Sequence, residues 1–202
     1  MKINKNTLLA AALIAAASLA NSAQALILST DTGSIISAPS STAAHQTEAN
    51  VQQGFNEKQG VTLISNLAVD GGSIAAGTKV DSHMIFLDTI GSQRITHLAK
   101  WIFDGKILGV MSDANGNLEA ASNSLLGAVG TTYPGSFSAR GFENSNDDWY
   151  SINGNELTVS MRVTSPSDWI RVVTQVPDAS STAILMGFSL LGLVGLRKRF
   201  AR

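Results

Sequence analysis

The two ends of the chain are apolar segments without acidic residues, and they leave only the middle of the sequence for a folded domain. The first segment has two lysines near its start, an uncharged stretch over residues 8–17, and Ala23 and Ala25 at its end. A basic start, a short apolar core and a small-x-small end are typical of a secretory signal peptide. We therefore predict a signal peptide over residues 1–25, cleaved at Ala23-Gln24-Ala25, and a mature chain that starts near Leu26.

The second apolar segment, Ser180–Leu196, carries no charge and is followed at once by Arg197, Lys198 and Arg199. A helix rises about 1.5 Å per residue, so this segment reaches about 26 Å, just long enough to cross a bilayer. Basic residues after such a span stay on the cytoplasmic side and stop transfer. We predict a transmembrane helix over residues 180–196, a basic tail over 197–202, and a main domain outside the inner membrane.

A proline-containing motif, Val176-Pro177-Asp178-Ala179-Ser180-Ser181-Thr182, stands just before the predicted span. Proline fixes its own φ and disfavours helix at the preceding residue, so Val176 and Pro177 are expected to be extended. An extended segment at the membrane surface is one that a protease can bind. Asp178 is the polar group that we expect such a protease to recognise.

The order of motif, short span and terminal basic cluster resembles the PEP-CTERM class of sorting signals, which exosortase, a membrane protease-transpeptidase of the bacterial envelope, recognises. The motif is similar to the Val-Pro-Asp-Ser-Gly variant: Val176, Pro177 and Asp178 match, whereas Ala179 and Ser180 replace Ser-Gly. The resemblance implies that residues 176–202 form a sorting signal with its motif at 176–182. It also implies an exosortase-type partner and removal of the tail after transient anchoring in the inner membrane.

The middle segment, residues 26–175, is acidic. It carries 8 Lys and Arg and 14 Asp and Glu residues, a net charge of about −6. Phosphate binding requires patches of Lys and Arg, so we predict no nucleic-acid partner. The sequence has no cysteine, which excludes disulfides, thiolate nucleophiles and cysteine-based zinc sites.

Strand signals become regular after a Ser/Thr/Ala-rich lead-in over residues 26–52. They predict a β-rich domain over residues 53–175, with strands at 61–69, 79–87, 95–103, 106–111, 149–152, 157–164 and 169–174. Asp104-Gly105 and Asn153-Gly154 are two-residue turn sequences that predict β-hairpins.

The segment Asn117–Gly127 predicts a short helix, because its apolar residues recur at helical spacing between an Asn and a Gly. Many short strands with one helix favour a mainly β, antiparallel β-sandwich or jelly-roll-like single domain. Through Trp101–Val110 and Ser167–Val172, the domain also resembles the β-rich ectodomains that accompany this sorting tail in uncharacterised exported proteins. That resemblance supports localisation and fold only.

Motifs of known enzyme classes are missing from the sequence. None of His45, His83 and His97 lies in a His-Glu-x-x-His motif, and there is no Gly-x-Ser-x-Gly or phosphate loop. The pair Asp147-Asp148 is badly arranged to flank one glycosidic bond, because neighbours on a strand point to opposite faces. A dispersed Ser/His/Asp triad stays open, but we predict no catalytic residue and no enzyme, with a secreted hydrolase as the third-ranked alternative.

Oxygen ligands recur at alternate positions of one loop, at Asp113, Asn115, Asn117 and Glu119. Such ligands suit a hard cation such as Ca²⁺. The EF-hand is excluded, since Gly116 is the fourth residue of the loop rather than the sixth. A looser Ca²⁺ site shared with Glu143, Asp147 or Asp148 stays open, as does a hairpin-to-helix turn capped by Asn117. No other cofactor is predicted.

Three aromatic residues, Trp149, Tyr150 and Trp169, would form a sugar-stacking platform if they projected from one face, while packing in the core and at a sheet edge is the competing interpretation. We predict a non-enzymatic protein exported to the cell surface or an extracellular matrix. The alternative is a carbohydrate-binding or adhesion module, with extracellular polysaccharide as its partner.

Overall fold

Most of the strands predicted from the alternation of apolar and polar residues are present in the structure. The structure is a computed structural model that describes residues 25–143, 147–164 and 167–177. Within these ranges the chain forms β1 (Ile27–Thr30), β2 (Ser34–Ile35), β3 (Ala49–Asn56), β4 (Val61–Thr62), β5 (Leu67–Val69), β6 (Gly72–Ile74), β7 (Lys79–Asp88), β8 (Ile95–Phe103), β9 (Ile107–Met111), α1 (Asn117–Leu126), β10 (Trp149–Asn153), β11 (Glu156–Val163) and β12 (Asp168–Gln175).

The predicted signal peptide, except for Ala25, and the predicted transmembrane helix lie outside the described residues. Within the part of the chain that is described, no helix has the length and apolar character needed to span a bilayer. The described residues all belong to one compact unit.

A four-stranded antiparallel sheet has the order β1-β8-β11-β10. Strands β8 and β11 pair over eight residue positions, from Glu156↔Ile102 to Val163↔Ile95. The strictly alternating residues Leu157, Val159, Met161 and Val163 are all buried, as the period of two predicts. The predicted hairpin between β10 and β11 is confirmed, but its turn is shifted by one residue: Asn153 pairs with Glu156, so Gly154 and Asn155 form the turn.

The second large sheet has six strands in the order β2-β3-β7-β12-β9, with β4 also paired to β7. Strand β12 lies in its interior, between β7 and β9. The pairing of β2 with β3 is parallel, so the sheet is mixed rather than purely antiparallel as predicted. Strands β5 and β6 form a separate two-stranded ribbon.

Both large sheets contribute to one buried apolar cluster. From the four-stranded sheet come Ile27, Ala99, Trp101, Phe103, Leu157, Val159, Met161 and Val163, and from the six-stranded sheet come Ile85, Leu87, Ile107, Val110, Ile170 and Val172. Side chains of two sheets that share one core are the basis of sandwich packing. The mainly β prediction is therefore confirmed, and this shared core supports the sandwich.

The turn at Asp104-Gly105 differs from its prediction. It does not close a hairpin, because β8 belongs to the four-stranded sheet and β9 pairs with β12 in the other sheet. A Cβ atom on residue 105 would lie 2.0 Å from the carbonyl oxygen of Gln175. Glycine is thus needed here for the close approach of two backbone segments, and the turn carries the chain from one sheet to the other.

The lead-in also differs from its prediction. Residues 26–52 supply β1 and β2 to the two sheets, and β3 runs across the predicted boundary at residue 53. The single predicted strand 61–69 is divided into β4 and β5. The folded domain therefore begins upstream of residue 53.

The helix α1 is confirmed, but its cap is not Asn117. The Asp113 carboxylate accepts hydrogen bonds from the backbone N–H of Asn117 at 2.7 Å and of Leu118 at 2.9 Å. Gly116 precedes the helix in the left-handed conformation, with φ of 65°. A side chain four residues upstream thus satisfies the N–H groups that the first turn of a helix leaves unpaired.

Candidate functional site

The predicted sorting motif begins where the last strand ends. The backbone N–H of Gln175 donates to the carbonyl of Lys106 at 2.8 Å, and that of Val176 to the carbonyl of Lys79 at 3.4 Å. Val176 and Pro177 are described, whereas Asp178 and the basic residues Arg197, Lys198 and Arg199 lie outside the described residues. The ladder that holds β12 in its sheet therefore ends within two residues of Asp178.

At the other end, Ala25 lies inside the folded unit. It is fully buried, and its backbone N–H donates to the Asp81 carboxylate at 2.5 Å. Burial raises the pKa of Asp81, and the hydrogen bonds from Ala25 and Gly60 act against that rise. Cleavage after Ala25 would remove this bond, whereas Ala23 lies outside the described residues.

Three carboxylates from separate segments meet at one place, and we call Glu143, Asp148 and Asp168 the acidic cluster. One oxygen from each lies within 4.8 Å of the others. Glu143 follows Phe142, whose N–H donates to the carbonyl of Ser112 at 2.9 Å. Asp148 precedes β10 and Asp168 begins β12, so the two large sheets bring these carboxylates together.

The acidic cluster is buried on one side and open on the other. Asp168 is 0% exposed and Asp148 is 6% exposed, whereas Glu143 is exposed. An oxygen of Asp148 accepts a hydrogen bond from the backbone N–H of Arg162 at 2.7 Å. Among the described residues, neither carboxylate oxygen of Asp168 has a hydrogen-bond partner.

Burial and neighbouring negative charge both act on the acidic cluster. Burial raises the pKa of Asp168 to about 10, with further contributions from Asp148 and Glu143. Burial and the charge of Asp148 also raise the pKa of Glu143. Such a group binds either protons or a cation more strongly than an ordinary surface carboxylate does.

In the loop considered as a Ca²⁺ site, two of the four candidate ligands bind other protein groups. The Asp113 carboxylate caps α1, and Glu119 is buried in an ion pair with Arg140, with 2.8 Å between Nε and Oε2. Asn115 and Asn117 are exposed. Ca²⁺ binding by this loop stays a prediction, and Asp113 and Glu119 are not among the carboxylates of the acidic cluster.

The three candidate stacking residues do not share a face. Trp169 is buried, with its ring stacked on that of Phe86 at 4.0 Å between centroids, which removes it from the predicted platform. Tyr150 is half-buried and donates from its hydroxyl to Asp70 at 3.1 Å. Trp149 is 42% exposed and, as the neighbour of Tyr150 on β10, points to the opposite face.

His83 and His97 contact neighbouring protein groups, and Asp147 and Asp148 have different partners. His83 is buried between the Asn56 side-chain oxygen at 2.8 Å and the Thr174 hydroxyl at 3.0 Å. His97 lies on β8, and its Nδ1 accepts from the backbone N–H of Gln52 at 3.4 Å. Asp147 forms an ion pair with Arg162, apart from Asp148 in the acidic cluster.

Two buried arginines were not identified from the sequence. Arg171, in the middle of β12, binds both carboxylate oxygens of Glu57 at 2.7 and 2.8 Å. Arg140 binds both oxygens of Glu119 at 2.8 Å, and its guanidinium lies 4.5 Å from the centroid of the Trp169 ring. The one available signal was the presence of Arg171 within the otherwise apolar run 169–173.

Comparison with known proteins identifies the tail. A model of the VPDSG-CTERM motif matches residues 175–200. No curated protein and no solved structure matches the chain. The C-terminal segment is therefore a sorting signal of the PEP-CTERM type, and this signal implies processing by an exosortase-type membrane enzyme.

Proposed function

We propose that this chain is a non-enzymatic exported protein, and that its folded unit is delivered to the cell surface or an extracellular matrix through the C-terminal signal. The observation that carries the proposal is the match of the sorting motif to residues 175–200, directly after β12. The N-terminal segment acts as a cleaved signal peptide, and the apolar segment 180–196 as a temporary anchor.

The position of the motif suits removal of the tail without damage to the domain. Strand β12 pairs with β7 from Asp168 to Gln175, and with β9 from Arg171 to Thr174. Cleavage at or after Val176 leaves all of these pairs in place. The β-sandwich would thus survive as the mature product.

The interactions of His83 and His97 support a structural rather than a catalytic role for these two residues. Burial lowers the pKa of His83 to about 3, so this residue is neutral and inaccessible at neutral pH. Burial also lowers the pKa of His97, whose Nδ1 faces backbone. General bases need access to a substrate proton, which His83 does not have.

An adhesion or carbohydrate-binding role is the second candidate, and Trp149 is the observation that favours it. Trp149 is paired with Ser160, which is paired in turn with Leu98, so the three share the outer face of the four-stranded sheet. Trp149 and Leu98 are both exposed. An exposed indole on the outer face of a sheet offers a surface on which a sugar ring stacks.

Replacement of the sorting motif tests the first proposal. In the native host, the double variant Pro177→Ala/Asp178→Ala should accumulate as full-length protein in the inner membrane. Asp104→Ala, a change at an exposed aspartate outside the motif, is the matched control and should be processed normally. Normal release of the double variant would refute the role of the motif.

Binding to polysaccharide purified from the host tests the second candidate. Trp149→Ala should abolish binding if the outer face is the ligand surface. Ile152→Ala is the matched control, because Ile152 lies on the same strand with nearly the same exposure, 43%, on the other face. Equal binding by both variants would exclude this face.

A further inference from the structure

An unpaired, fully buried carboxylate lies in the acidic cluster. Both oxygens of Asp168 are buried without a hydrogen-bond partner among the described residues, and the residue is 0% exposed. A buried charge without a partner is strongly unfavourable, so buried carboxylates are normally paired, hydrogen-bonded or bound to a metal. Asp168 therefore needs a partner that its protein neighbours do not supply.

The two carboxylates beside Asp168 make this need greater. Asp148 and Glu143 each place an oxygen within 4.8 Å of an oxygen of Asp168, and both are acidic. Two oxygens that bind one Ca²⁺ from opposite sides are about 4.8 Å apart, because each lies about 2.4 Å from the ion. The spacing of the three carboxylates fits a single ion of this size.

We propose that Glu143, Asp148 and Asp168 bind one Ca²⁺ ion. An oxygen of Asp148 is held in place by the N–H of Arg162 at 2.7 Å. Both oxygens of Asp168 are available to the ion, and the exposed Glu143 leaves an open side through which water completes the coordination. Ca²⁺ accepts six to eight oxygen ligands in flexible geometry.

The donor set favours Ca²⁺ over other divalent ions. Only carboxylate oxygens contribute, which selects hard cations over Zn²⁺ or Cu²⁺. Mg²⁺ needs oxygens at about 2.1 Å in a nearly ideal octahedron and usually keeps several waters, whereas Ca²⁺ accepts several carboxylates in flexible geometry. The acidic charge of the middle segment further raises the local concentration of cations.

The bound ion would connect the two large sheets. Asp148 leads into β10 of the four-stranded sheet, Asp168 begins β12 of the six-stranded sheet, and Glu143 belongs to the segment between α1 and β10. Binding that occurs only in the folded state stabilises it by mass action. This inference is independent of the sorting signal and of the two functions proposed above.

A shared proton is the alternative occupant. Asp148 lies close enough to hydrogen-bond with a protonated Asp168, whose pKa is raised to about 10 mainly by burial. A proton satisfies one oxygen pair, whereas an ion satisfies all three carboxylates. The two occupants predict different responses to added Ca²⁺: a bound ion raises the melting temperature, and a shared proton leaves it unchanged.

Calorimetric titration of the full-length protein with CaCl₂ tests the proposal. The protein is purified in mild detergent, treated with a chelator and dialysed into metal-free buffer at neutral pH. The wild type should bind one Ca²⁺ per chain, and its melting temperature should rise with added Ca²⁺. Asp168→Asn should weaken binding by at least ~100-fold, since even residues that only support a ligand are worth 10–100-fold.

Matched variants separate this site from its neighbours. Asp147→Asn changes the adjacent aspartate, which is paired with Arg162 outside the acidic cluster, and should bind Ca²⁺ as the wild type does. Asn115→Ala tests the loop 113–119 and should also leave binding unchanged. Glu143→Gln, at an exposed position, should also weaken Ca²⁺ binding. It replaces Asp168→Asn as the test variant if Asp168→Asn fails to fold.

Several results would overturn the proposal. One is a wild type that neither binds Ca²⁺ nor changes its melting temperature when Ca²⁺ is added, as a shared proton predicts. Unchanged binding by Glu143→Gln would place the ion elsewhere, and loss of binding in Asn115→Ala would place it in the loop 113–119. Tighter binding of Mg²⁺ than of Ca²⁺ would refute the choice of ion.

Discussion

Replacing Arg140 with methionine should destabilise the domain more than almost any other single charge removal. Arg140 and Glu119 form a bidentate ion pair in which the side chains are 1% and 3% exposed. The guanidinium also donates to the Thr42 carbonyl at 2.7 Å and stacks on Trp169. The variant Arg140→Met fills a similar volume but leaves the Glu119 carboxylate buried without its cation.

The magnitude follows from this burial. Removing one partner of a buried ion pair costs about 3–5 kcal/mol of unfolding free energy, because the remaining charge is desolvated without compensation. Replacing both partners by apolar residues is often nearly neutral. We therefore expect the double variant Arg140→Met/Glu119→Met to be markedly more stable than the sum of its single variants predicts.

Urea unfolding of the single and double variants measures these free energies. The control is Lys100→Met, since Lys100 pairs with Glu156 on the surface, where the two side chains are 46% and 30% exposed. Exposed pairs contribute little, so its midpoint should stay close to that of the wild type. A loss in Arg140→Met no larger than that in Lys100→Met, or additive single variants, would refute the account of this pair.

Three further predictions concern other residues. Burial lowers the pKa of His83 to about 3, so the contribution of this residue to the free energy of unfolding should be complete above pH 6.5 and fall by about 1.4 kcal/mol per pH unit between pH 6.5 and 3. His83→Gln should flatten that slope, measured by urea unfolding between pH 6 and 4. An unchanged slope would assign the pH dependence to other groups. Gly105→Ala should lower the melting temperature sharply, since its Cβ would lie 2.0 Å from a backbone oxygen of Gln175, and a melting temperature like that of the wild type would contradict the close approach. Asp113→Ala removes the side chain that caps α1 and should lower the unfolding free energy by about 1 kcal/mol. An unchanged unfolding free energy would mean that another group caps the helix.

Local patterns in the sequence were sufficient for individual strands and for one hairpin. The alternation in 157–164 predicts β11, and Asn153-Gly154 predicts the hairpin before it with a turn one residue too early, because both signals act between neighbouring residues. Asp104-Gly105 carries a similar turn signal, yet the strands on either side belong to different sheets. The choice of partners depends on which strands share the core, and a two-residue sequence does not encode it.

The acidic cluster could be predicted only in part. Glu143 and Asp148 were considered as cation ligands from the sequence, but Asp168 lies in a different strand and joins them only through the packing of the two sheets. The loop 113–119 had the stronger local pattern. Its glutamate pairs instead with Arg140, a partner 21 residues away that spacing alone does not reveal.

The intact mass and location of the protein in its native host test the central claim most directly. The account predicts a mature form outside the cell that starts near Leu26 and ends between Val176 and Asp178. A start at or before Ala25 would preserve its buried hydrogen bond to Asp81 and would move the cleavage site upstream. A form that still ends at Arg202 and sediments with the inner membrane would contradict processing of the sorting signal.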